Sequence, residues 1–122
     1  MVGYEKRQSY KRNPKPYAGK KVDIFLSGEI FELYRQKLMF EKGVRGGSLK
    51  IFEFDKKLKE SKSRIRDADI RENINYLLEI INDNCPLNLN GINMEKAVNE
   101  FQDYLRKNTG QSYEINLVIG NL

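Results

Sequence analysis

The chain has 122 residues, of which 39% are hydrophobic and 32% charged, and it carries a formal net charge of +5 with no histidine and one cysteine. This length predicts one domain, and the lone Cys85 excludes an internal disulfide and is typical of a reducing compartment. No apolar run approaches the roughly 18 residues that a membrane span needs, and the N-terminus lacks an apolar stretch of the signal-peptide type. We therefore expect a cytoplasmic protein that does not contact a membrane.

The excess positive charge lies in the first 21 residues. This segment holds seven of the 22 basic residues and one acidic residue, so it carries +6, whereas the other 15 basic and 16 acidic residues leave the rest at −1. Pro14 and Pro16 disfavour a helix here, and no aliphatic run predicts a strand. We predict that residues 1–20 form a flexible basic arm, disordered or extended, and that residues 21–122 form a single domain.

Residues 21–26 alternate, with Val22, Ile24 and Leu26 on one face, which predicts a strand. Ser27 stands at the expected N-cap of the next helix, with Glu29 in its first turn. Apolar residues at helical spacing then lead to a C-cap near Gly43. They are Ile30, Phe31, Leu33, Tyr34, Leu38 and Phe40.

Residues 49–54 (LKIFEF) have two interpretations. They are rich in strand formers, and we favour a strand. The alternative is a helix over 49–60, capped by Ser48 and burying Ile51, Phe54 and Leu58.

The second half of the chain predicts two helices and a strand. Asp69 to Glu72 resembles a capping box, and the helix that follows should stop before Pro86. Its buried stripe is Ile70, Ile74, Leu77, Leu78 and Ile81. Asn93 suits the N-cap of a helix that ends at Gly110 and that buries Met94, Ala97, Val98, Phe101, Tyr104 and Leu105. Residues 112–119 alternate as a strand, with Tyr113, Ile115, Leu117 and Ile119 on one side.

These elements predict a small α+β domain. We expect an antiparallel sheet of two or three strands, packed against three or four helices, with the disordered basic arm preceding it. The C-terminal strand should pair antiparallel with residues 21–26.

The composition argues against catalysis. Without histidine the chain lacks the commonest general base and the commonest metal ligand. Asp67 and Asp69 are two residues apart, so they point in different directions on a helix, and we interpret them as caps. The loop GVRGGS (43–48) lacks the lysine and the spacing of a P-loop. We expect no enzyme, no cofactor and no metal site.

The basic arm points instead to an anionic partner. Flexible cations follow phosphates without a fixed geometry, and tyrosines offer faces on which unpaired bases stack. The basic run from Lys56 to Arg66 is a candidate second half of this surface. The alternatives are a solubilising leader for the arm and a solvated helix face for the run. The candidate nucleic-acid-binding residues are Tyr4, Lys6, Arg7, Tyr10, Lys11, Arg12, Lys15, Tyr17, Lys20, Lys21, Arg45, Lys56, Lys57, Lys59, Lys62, Arg64 and Arg66.

Residues 21–60 resemble a ribbon-helix-helix unit: a strand (21–26), a helix that begins after Ser27, a turn with Gly43, and the stretch SLKIFEFDKKL. The resemblance implies that two chains pair their strands and lay them in the DNA major groove. Lys21, Asp23 and Phe25 would then face the groove. An aspartate there and a long turn depart from that pattern.

We therefore predict a non-enzymatic protein that binds DNA or RNA, with a homodimer as one possible state. Frequent Lys, Asn and Ile are typical of AT-rich coding, which suits a regulatory or accessory factor of a bacterial mobile element. The alternative is a phage-type inhibitor or adaptor that binds a host protein or a ribonucleoprotein, such as a CRISPR effector.

Overall fold

A computed structural model describes residues 7–11, 19–43, 48–86, 89 and 91–120, with the backbone alone for residues 7–11 and 48–50. The elements are β1 (Arg7–Lys11), β2 (Lys20–Ser27), α1 (Glu29–Glu41), α2 (Ser48–Ser63), α3 (Ala68–Glu72), α4 (Ile74–Asn84), α5 (Gly91–Thr109) and β3 (Tyr113–Gly120). The α+β class is confirmed, with five helices in these ranges rather than three or four. None of these helices is long and apolar enough to cross a membrane.

The sheet is mixed, with β3 between β1 and β2. β3 pairs with β2 as predicted, but the two strands run parallel, from Lys20 opposite Tyr113 to Ser27 opposite Gly120. The predicted antiparallel pairing is therefore wrong. Parallel neighbours need a long crossover, and the five helices between β2 and β3 supply it.

Strand β1 lies within the segment predicted to be a flexible arm. Its backbone pairs antiparallel with β3, with Arg7 opposite Gly120 and Lys11 opposite Asn116. Residues 7–11 therefore take the extended one of the two predicted forms, because backbone pairing with a central strand holds them without an aliphatic pattern of their own. Residues 1–6 and 12–18 lie outside the described residues.

The core lies between one face of the sheet and the helices. The alternation predicted for β2 and β3 is confirmed, since Ile24 and Leu26 on β2 and Ile115, Leu117 and Ile119 on β3 are all buried. The predicted stripe on α3 and α4 is buried too, and so is the predicted face of α5 except for Tyr104, which is half-buried. Full burial of one such large side chain contributes about 1.5–3 kcal/mol.

Residues 49–54 belong to helix α2, so the favoured strand is wrong and the helical alternative is confirmed. Phe54 is fully buried, and its ring centroid lies 5.7 Å from that of Tyr34 on α1. Ile51 and Leu58 lie on the same side of the helix and are half-buried. Helical spacing of these three residues outweighed the strand propensity of LKIFEF because it gives one face to bury against α1.

Four helix starts differ from the prediction. Gly28 occupies the N-cap of α1, although the Ser27 hydroxyl accepts a hydrogen bond of 3.3 Å from the Glu29 amide. Asp67, rather than Asp69, caps α3. Asn73 ends α3 and begins α4, so the single helix predicted from Asp69 is two helices. Helix α5 begins at Gly91, two residues before the predicted cap.

The order strand, helix, helix over residues 21–60 is that of the ribbon-helix-helix unit. The pairing differs, because β2 lies in parallel beside β3 of its own chain. Among the described residues, no strand pairs with the other side of β2.

Candidate nucleic-acid interface

The two basic stretches of the sequence meet at the beginning of β2. Lys20 Nζ lies 2.7 Å from Asp67 Oδ2 across 47 residues of sequence, and Asp67 directly follows Arg66 at the end of the second basic run. Lys21, Arg64 and Arg66 are exposed. We call Lys20, Lys21, Arg64 and Arg66 the basic junction.

Asp67 holds the basic junction together. Its carboxylate accepts hydrogen bonds from the Ile70 amide at 3.0 Å and from the Tyr113 hydroxyl at 3.0 and 3.1 Å. Its side chain is only 7% exposed, so every lone pair that finds a donor matters for stability. The end of the basic run is thereby tied both to the N-terminus of α3 and to the first residue of β3.

The protonation of this carboxyl follows from its partners. Burial alone would raise the pKa of Asp67, but the hydrogen bonds from Lys20 and from the Ile70 amide, together with that from Tyr113, hold it below its ordinary value. Burial and the two nearby carboxylates, Asp67 and Asp69, raise the pKa of Tyr113 far above its ordinary value. Asp67 is therefore an anion at neutral pH, and Tyr113 is a donor to it.

An aromatic ring lies beside the basic junction on the sheet face that points away from the core. The Arg64 guanidinium carbon lies 5.8 Å from the ring centroid of Phe25, within cation–π range. The Phe25 ring also rests on Gly120 of β3, where a Cβ would lie 3.1 Å from the ring tip. Glycine at 120 therefore lets the ring lie low across the sheet, with Arg64 above it.

The lysines of α2 do not form one surface. Lys57 Nζ lies 3.5 Å from Glu29 and 3.7 Å from Glu60, and it shares a shallow depression with Lys56 and Glu53. Lys59 and Lys62 are three residues apart, on another side of the helix. Lys59 is exposed and Lys62 half-buried. Asp55 lies four residues before Lys59, on the same side of the helix, so acidic residues interrupt both sides of the predicted run.

The remaining candidates are described in part or not at all. Arg7, Tyr10 and Lys11 lie on β1, opposite Gly120, Leu117 and Asn116 of β3. Tyr4, Lys6, Arg12, Lys15, Tyr17 and Arg45 lie outside the described residues.

Acidic and amide groups share the outer face of the sheet. Asn116 Nδ2 donates to Asp23 Oδ1 at 3.2 Å, and Lys21 is paired in register with Glu114. Within the described residues, Glu114 Oε2 and Asn116 Oδ1 are buried oxygens that accept no hydrogen bond. The centre of this face is therefore acceptor-rich, and the cations lie at its border.

A mixed three-stranded sheet packed against five helices defines this chain as a small α+β domain. No family model matches the chain, and neither does any curated protein or solved structure. Among the described residues, no group of three His, Cys, Asp or Glu side chains is arranged to hold a metal ion.

Proposed function

We propose that this protein acts by binding nucleic acid rather than by catalysis, and that it contacts phosphates with its basic N-terminal segment and the basic junction. The observation that carries the proposal is the joining of the two basic stretches by the Lys20–Asp67 ion pair. Basic side chains from distant parts of the sequence can then bind phosphates of the same nucleic-acid strand.

The side chains of the basic junction have different roles in the proposed binding of nucleic acid. Lys20 is held by Asp67, so it positions the segment and is not the main phosphate contact. Lys21, Arg64 and Arg66 are exposed, and each phosphate that one of them neutralises releases counterions. Arg64, held over the Phe25 ring, offers its guanidinium plane to an unpaired base, because bases stack on such planes as they do on aromatic rings. This pairing of ring and cation favours single strands over a duplex.

The test compares two full-length variants that lose the same charge. One is Lys21→Gln with Arg64→Gln and Arg66→Gln; the control is Lys96→Gln with Arg106→Gln and Lys107→Gln on exposed positions of α5. Binding to single-stranded RNA, single-stranded DNA and duplex DNA is measured across a salt series. We expect the log–log salt slope of the first variant to fall by about 0.7–0.9 for each phosphate contact removed, and that of the control to stay near the wild-type slope.

Equal losses in both variants would mean that only net charge matters, and the basic junction would then have no special role. Absence of binding by the wild type at low salt would reject the proposal. Full-length variants are used because removal of residues 1–20 would also remove β1 from the sheet.

A second candidate function, a protein-binding inhibitor or adaptor, rests on apolar side chains in solvent. Phe52 is 68% exposed and Met39 51%. They lie near the same end of the α1–α2 pair, because Glu29 and Lys57 mark the other end. A Phe52→Ser, Met39→Ser variant would lose a protein complex and keep nucleic-acid binding if this candidate is right.

The homodimer that the ribbon-helix-helix resemblance implies is a further proposal. A ribbon-helix-helix dimer would join two chains along the edge of β2. Sedimentation of the full chain over a range of concentrations tests it, and a monomer throughout would exclude it.

A further inference from the structure

A groove of about 410 Å³ lies between α1 and the α3–α4 segment, and it shares no lining residue with the basic junction. Its lining includes Tyr34 and Glu41 from α1 and Glu72, Tyr76 and Glu79 from the facing segment. A cavity of this size is in the range of small-ligand sites. The groove therefore combines aromatic rings with carboxylates in a concave surface.

The charge of the groove is negative. Three glutamates, Glu41, Glu72 and Glu79, line it together with one cation, Lys37. Lys37 Nζ lies 5.2 Å from the Phe54 ring centroid. Within the described part of the chain, no ion pair joins these three carboxylates to a cation. Their field is thus available to a cation that enters the groove.

Tyr34 adds a polar group to the aromatic lining. It is only 8% exposed, and its hydroxyl makes no hydrogen bond to any described residue. Burial raises the pKa of Tyr34, and the Glu79, Asp83 and Glu41 carboxylates raise it further. The hydroxyl oxygen is not one of the buried unpartnered atoms of the described residues, so it reaches solvent in the groove and is open to an N–H donor of a ligand.

Tyr76 supplies an aromatic wall that is held in place. Its ring centroid lies 4.3 Å from that of Tyr104, whose hydroxyl donates to Asn73 Oδ1 at 3.2 Å. The ring is therefore fixed by α5 and by the α3–α4 junction. The face of a tyrosine attracts a cation within about 6 Å of its centroid.

We propose that this groove binds an organic cation, an ammonium or guanidinium group, between the carboxylates and the two tyrosine rings. A metal ion is a poorer fit, because the described carboxylates do not converge as three ligands and a hard cation requires such convergence. A large, diffuse cation meets separate carboxylates, a ring face and a hydroxyl acceptor at the same time. This ligand has the opposite charge to nucleic acid, so the inference does not depend on the proposed function.

Two sources present this chemistry: a free polyamine, and a lysine or arginine side chain of a peptide. The experiment titrates the full chain with spermidine and with a short arginine–glycine peptide, and it follows the ring resonances of Tyr34 and Tyr76 by NMR and the heat by calorimetry. We expect saturable shifts of both rings. Tighter binding of the peptide identifies a side chain as the ligand, and tighter binding of spermidine identifies a free amine; either result supports the site.

Variants test whether the ligand binds in the groove itself. Glu79→Gln and Tyr34→Phe should each weaken binding, the first by roughly tenfold because it removes a charged partner. Glu95→Gln, an equal charge change on an exposed position of α5 outside the groove, should leave the affinity unchanged. Backbone amide spectra confirm the fold of each variant, and Glu79→Gln, on an exposed side chain, keeps the test valid if Tyr34→Phe unfolds. Absence of ring shifts, or an equal loss in Glu95→Gln, would overturn the proposal.

Discussion

The basic junction and the acidic groove both place aromatic rings among charged side chains, with charges of opposite sign. At the basic junction, Arg64 lies over Phe25, and a single buried acid, Asp67, ties Lys20 in place. In the groove, Glu41, Glu72 and Glu79 surround Tyr34 and Tyr76. Residues 22–122 are close to neutral in sum, yet they contain the whole acidic groove and two of the four cations of the basic junction, Arg64 and Arg66. Net charge therefore describes this domain poorly, because it averages over two regions of opposite charge.

The largest effect is expected from Phe54, because its ring packs behind the groove while its helix carries the second basic run. Phe54→Ala should lower the free energy of unfolding by about 3–5 kcal/mol, the usual cost of emptying a large buried site. Urea denaturation measures it. Phe52→Ala in the same helix is the control, and it should cost less than about 0.5 kcal/mol because that ring is exposed. Similar costs for the two variants would contradict the orientation of α2.

Gly19 lies directly before β2, next to the basic junction, where β2 and β3 begin to pair. A Cβ at this position would collide with the backbone of Ser112 and Tyr113, where the Lys20 amide donates to the Ser112 carbonyl at 2.8 Å. Gly19→Ala should cost about 2 kcal/mol, since backbone rather than a flexible side chain must move. Thermal and urea unfolding measure the loss. Ser112→Ala, which adds no atom there, should be nearly neutral, and a neutral Gly19→Ala would refute the close approach.

Asp67 makes the stability of the basic junction depend on pH. Its folded pKa lies below the ordinary value of 3.8, so the unfolded chain binds a proton first as the pH falls. The stabilisation is complete above the unfolded pKa and is lost as the pH drops through the folded pKa. Asp67→Asn should cost about 1–2 kcal/mol at neutral pH, through the lost ion pair with Lys20 and the weaker acceptor for Tyr113, since asparagine still caps a helix, and it should flatten the acid limb of stability against pH. An unchanged acid limb would contradict the role of Asp67.

Lys57 differs from the exposed cations of the basic junction, because Glu29 and Glu60 lie beside it. Lys57→Gln should change the free energy of unfolding by less than about 1 kcal/mol, as is usual for partly exposed ion pairs. It should also leave nucleic-acid affinity near the wild-type value, in the same salt series used for the basic junction. A loss as large as that of Arg64→Gln would show that the acidic side of α2 contacts the polyanion.

Much of the fold could be predicted from periodicity. The buried faces of β2, β3, α4 and α5 follow from side-chain spacing, since a single pattern fits each. Residues 49–54 fit two patterns, and only the packing of Phe54 on Tyr34 decides between them. The direction of β3 could not be predicted, because alternation is the same for parallel and antiparallel strands. Strand β1 could not be predicted either, since it depends on backbone pairing with β3.

The two sites were harder to predict from the sequence than the fold was. Both basic stretches are visible in the sequence, but their meeting at Lys20 and Asp67 joins residues 47 apart. Glu41, Glu72 and Glu79 come from separate helices, and each resembles an ordinary surface glutamate in the sequence. The groove therefore exists only in the folded chain.

The most direct test of the central claim is a map of where nucleic acid contacts the protein. Single-stranded RNA, single-stranded DNA and duplex DNA would each be titrated into the isotope-labelled full chain at low salt, and amide and side-chain shifts recorded. We predict the largest shifts at Lys21, Phe25, Arg64 and Arg66, with little change at Tyr34, Tyr76 and Glu79. Shifts centred on the groove, or no shifts with any of the three ligands, would contradict the account.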